Sequence, residues 1–90
     1  VQRTAPGLSN DIPALERALL YNPTDALRGI DLFQAQKNRG DIDGALRTLE
    51  KVILLPNAPA YIRQEMAALY VMKQDYRRAW EQLRETLQKR

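Results

Sequence analysis

Ninety residues, 44% of them apolar and 28% charged, make one folded domain at most and do not read as a disordered chain. With no cysteine and no histidine, disulfides, thiolate metal sites, imidazole bases and imidazole ligands are excluded together, and the redox compartment stays open. The net charge of +3 is gathered late: residues 61–90 carry seven basic against four acidic side chains, while the first two thirds are balanced. An excess this small reads as a solvated helix face before it reads as a nucleic-acid contact. No apolar run approaches the roughly 20 residues of a membrane span. The chain starts at Val1 without an initiator Met, so a processed or excised piece of a larger protein is expected and the localisation is left open.

Residues 1–10 lack periodicity and contain Pro6-Gly7, so they read as a tail or linker. Asn10 or Asp11 then offers a cap, with Pro13 in the first turn, and a helix is predicted over Ile12 to Tyr21 with Leu15, Ala18 and Leu19 on one face. It stops at Asn22-Pro23, because the residue before proline is pushed out of the helical region. Thr24 or Asp25 caps a second helix, Ala26 to Asn38, with a broad stripe of Leu27, Ile30, Leu32, Phe33 and Ala35. Gly29 inside it costs about 1 kcal/mol relative to alanine and implies close approach of a neighbour.

Arg39-Gly40-Asp41 is a turn, with Gly40 suited to the left-handed region and Asp41 to capping. The third helix is predicted from Ile42 to Leu54, burying Ala45, Leu46, Leu49, Val52 and Ile53. Pro56-Asn-Ala-Pro59 breaks the chain before a fourth helix, Ala60 to Lys73. Asp75 caps the fifth, Tyr76 to Gln88, which carries Ala79, Trp80, Leu83 and Leu87. All connections are short, so neighbouring helices are expected to be antiparallel in an all-α fold.

A repeat runs through this order. Asp41, Ala45 and Leu49 return 34 residues later as Asp75, Ala79 and Leu83, and Ile42, Leu46 and Ile53 return in kind as Tyr76, Trp80 and Leu87. A fixed period of this length marks a repeat architecture. Residues 26–59 resemble one tetratricopeptide repeat and 60–90 most of a second, with Asn22-Pro23 similar to the end of a preceding one. Met66, Ala67, Tyr70 and Ala79 match the family signature, as do Leu32 and Ala45. Phe33 stands where a small residue is usual and Gln36 where an aromatic is usual, and Pro56 falls one place early. The resemblance implies antiparallel helix pairs stacked as a short right-handed superhelical solenoid.

It also implies a concave groove lined by the first helices, here Leu27, Ile30, Gln34, Lys37 and Asn38, then Tyr61, Gln64, Ala68, Val71 and Met72. The family's clamp for a chain-terminal carboxylate is not reproduced, since Ile30 and Gln64 stand at its positions. No cofactor or metal is expected. Asp41 with Asp43 and Glu81 with Glu85 are the closest carboxylate pairs, and no further ligands accompany them. Ser9 has no histidine to activate it, Gly40 is a lone turn glycine, and Arg77 and Arg78 read as an exposed pair. The expected function is a non-catalytic scaffold that binds a peptide or partner domain in the groove. The alternative is self-association through an uncovered C-terminal edge of Trp80, Leu83 and Leu87. An RNA-binding helical repeat is less favoured, because the excess charge lies mostly off the groove face.

Overall fold

Local capping chemistry sets most of the helix boundaries. The computed structural model describes residues 11–88, and the tail expected over residues 1–10, with Ser9 and the alternative cap Asn10, lies outside the described residues. Asp11, Asp25 and Asp41 each accept a hydrogen bond from the backbone N–H three residues on, at 3.2, 3.2 and 2.9 Å. They open α1 (Ile12–Tyr21), α2 (Ala26–Asn38) and α3 (Ile42–Val52); α4 (Ile62–Met72) and α5 (Tyr76–Gln88) follow. Asp75 accepts from the Arg78 N–H at 3.3 Å, the same cap in a fourth place. Among the described residues every regular element is helical.

The α3–α4 connection is longer than expected. α3 ends at Val52 rather than Leu54, and α4 begins at Ile62 rather than Ala60. Beyond Ile53 the N–H groups of Leu54 and Leu55 donate to Lys51 and Val52, three residues back, so the last turn tightens. Pro56 and Pro59 then withhold two N–H groups, and α4 starts only where Ile62 donates to the Pro59 carbonyl. Tyr61 stands at its N-cap without a side-chain hydrogen bond, the weakest helix start of those described.

The α2–α3 and α4–α5 turns are the same motif. Gly40 N–H donates to Lys37 and Asp41 N–H to Gln36, each at 2.9 Å; Gln74 donates to Val71 at 2.8 Å and Asp75 to Tyr70 at 2.9 Å. This pair of hydrogen bonds closes a helix through one left-handed residue. Gly40 takes φ +83° there at no steric cost, whereas Gln74 takes φ +62° with a Cβ that crowds the backbone.

The helices pack with their chain neighbours, most closely α2 with α3 and α4 with α5. The main core joins Ile30 and Phe33 of α2, Leu46, Leu49 and Val52 of α3, and Ile62, Met66 and Tyr70 of α4, with Ala79 of α5. A smaller cluster seats α1 on the other side of α2 through Leu15, Leu32 and Ala35, flanked by Ile12 and Leu19. Gly29 does have a close neighbour: a Cβ placed there would lie 2.5 Å from Cγ2 of Val52 on α3. Phe33 is fully buried in this closely approached hairpin. Gln36 is buried too, and accepts the Thr48 hydroxyl hydrogen bond at 2.6 Å, which answers the polar group that stands in place of an aromatic.

Candidate functional site

Burial divides the expected groove residues. Leu27, Gln34 and Asn38 of α2 are exposed, as are Tyr61 at the N-cap of α4 and Gln64, Ala68, Val71 and Met72 within it. Ile30 is not available: it is buried in the main core, because α3 and α4 close over that side of α2. Lys37 is half-buried and is bound on both sides. Its ammonium lies 3.7 Å from Glu65 of α4 and 5.8 Å from the Phe33 ring centre. The lysine therefore joins α2 to α4 rather than standing as a free charge for a ligand. Glu65 was not among the expected site residues, since it lies off the groove register and only the tertiary arrangement brings it to Lys37.

The expected edge is open in the described chain. Trp80 is 55%, Leu83 40% and Leu87 60% exposed, and Tyr76, at 63%, extends the same stripe by one turn. Tyr76 was legible from the spacing, four residues before Trp80. Ala79 is buried among the core residues and seats α5 on the rest of the fold.

A cleft of about 460 Å³ lies away from both surfaces, over α2 between α1 and α3. Leu19, Leu32, Val52 and Leu55 form apolar walls, with Glu16, Arg47 and Lys51 among its polar lining residues. It had no counterpart among the sequence expectations, because it forms only where α1 and α3, which are not chain neighbours, flank α2.

The charged groups are mostly committed. Asp41 caps α3, and Arg78 pairs with Asp75 at 3.4 Å. Asp43 of α3 is hydrogen-bonded and ion-paired to Lys73 at the end of α4, which holds its carboxyl below the usual carboxylate range. Tyr70 donates to Glu50 at 3.4 Å; burial first, and then the Glu50 charge, push its phenol above the ordinary value. Among the described residues no ion pair forms at Arg77 or Arg84, and no three His, Cys, Asp or Glu residues gather as a metal site. No described helix is long and apolar enough to cross a membrane. No protein-family model matches the chain, and no curated protein matches it.

Proposed function

We propose that this chain is a tetratricopeptide-like, non-catalytic interaction module, and that a peptide or partner segment lies along the exposed faces of α2 and α4. The observation that carries the reading is a shared register. Leu27, Gln34 and Asn38 on α2 are each 34 residues before Tyr61, Ala68 and Met72, and all six are exposed. The two helices, linked by the Lys37–Glu65 ion pair, thus offer these three register positions to solvent, with amides at two of them on α2 and apolar side chains at all three on α4. Apolar contacts of Leu27, Val71 and Met72 supply affinity, while Gln34, Asn38 and Gln64 hydrogen-bond an extended backbone.

Peptide-display selection against the intact chain tests this, repeated on a Leu27→Asp/Met72→Asp variant and on Trp80→Asp. Enriched peptides should fail on the first variant and persist on the second. Peptides that bind both variants as they bind the parent chain would remove the α2–α4 face from consideration.

A further inference from the structure

The three second helices of the repeat carry one stripe in common. Ile12, Leu15 and Leu19 of α1 stand 34 residues before Leu46, Leu49 and Ile53 of α3, which stand 34 before Trp80, Leu83 and Leu87 of α5. The α1 stripe packs with Leu32 and Ala35 of α2, and the α3 stripe shares its core with Ile62, Met66 and Tyr70 of α4. Only the α5 stripe lies open among the described residues. Each covered stripe is met by an antiparallel first helix, so the geometry of a cover for α5 is already written twice in the fold.

Charge separates the candidates for that cover. Beside the α3 stripe stand Asp43 and Glu50, met by Lys73 and the Tyr70 hydroxyl of α4. In the same places beside the α5 stripe stand Arg77 and Arg84, with no ion-pair partner among the described residues. The rim is reversed in sign. A helix of the α4 kind would set Lys73 against Arg77, and α2 has Arg39 at that position. The matching faces of α2 and α4 are moreover already taken by α1 and α3, so a second copy has no free first helix to offer.

We infer that the α5 edge docks an amphipathic helix of a partner protein, antiparallel to α5, whose apolar stripe is flanked by carboxylates facing Arg77 and Arg84. Such a helix covers Tyr76, Trp80, Leu83 and Leu87 and offsets the charges of Arg77 and Arg84. The site is separate from the α2–α4 face, and its fate does not depend on that reading.

Trp80, the only tryptophan, reports directly on occupation. Two stapled helical peptides with the sequence of residues 60–75, one unchanged and one carrying Lys73→Glu, are titrated into the full chain and into its Arg77→Glu variant at low salt. The blue shift of Trp80 emission measures binding. The acidic peptide should bind the parent chain about fivefold more tightly, the preference should reverse with Arg77→Glu, and both differences should shrink in high salt. Equal binding in all four pairings, or no binding by either peptide, overturns the inference. A concentration-dependent doubling of mass with Trp80 buried and no peptide present also overturns it, by making a second copy the occupant.

Discussion

The hairpins α2–α3 and α4–α5 are built on one 34-residue pattern and end in different surroundings. The first is flanked on both sides, by α1 and by α4; it buries Phe33, brings Gly29 against Val52 and encloses the Gln36–Thr48 bond. The second is flanked on one side only among the described residues, and its last helix keeps Trp80, Leu83 and Leu87 in solvent. Equivalent apolar residues therefore end differently: Leu49 is buried in the core, while Leu83 stays partly in solvent. A repeat makes its interior from its neighbours, so the same stripe is core or interface according to what lies beside it.

The largest expected break in this comparison is Phe33→Ala. Its equivalent in the second hairpin is already alanine, Ala67, so the substitution gives the first hairpin the second one's side chain. Removing a fully buried ring should cost about 3–5 kcal/mol, read as a lower urea midpoint at unchanged slope. A loss below about 1 kcal/mol would mean that the first hairpin is not held by the ring.

A smaller contrast lies in the two turns. Gly40→Ala should lower stability by about 1 kcal/mol, because φ +83° crowds a Cβ. Gln74→Gly should raise it by up to about 1 kcal/mol, net of the freedom glycine adds to the unfolded chain. Thermal unfolding of the two variants should move in opposite directions, and a shift of the same sign in both would refute the shared turn geometry.

The smallest effect belongs to the join between the hairpins. Asp43 has its folded pKa depressed by Lys73, so its contribution is present above the unfolded value of about 3.9 and is lost as pH falls through the folded one. Asp43→Asn should therefore lower the melting temperature slightly at neutral pH, and the gap should close in strong acid. A gap that persists there assigns the effect to packing rather than to the carboxylate.

Much of this was legible in the residues. Asp41 and Asp75 read as caps from the sequence and are caps; Asp11 and Asp25 cap where the sequence offers each as one of two candidates, and α1, α2 and α5 have the predicted bounds. The ends of α3 and α4 were less so, since two prolines disrupt the helix further than the apolar spacing suggests. Ile30 was expected in the groove and lies in the core, because that side of α2 joins the apolar residues of α3 and α4 in one cluster.

By itself, then, the sequence determined the number and order of the helices, the caps at Asp41 and Asp75, the turns after α2 and α4, and the 34-residue register. The helices, caps and turns rest on interactions within a few residues, and the register on residue identities alone, so identity and spacing suffice for both. Only the tertiary structure decided which copies of the apolar stripe are covered. It also brought Glu65 to Lys37 and enclosed a cleft between α1 and α3. These outcomes depend on groups far apart in the chain, and residues in the same register differ there because their neighbours do.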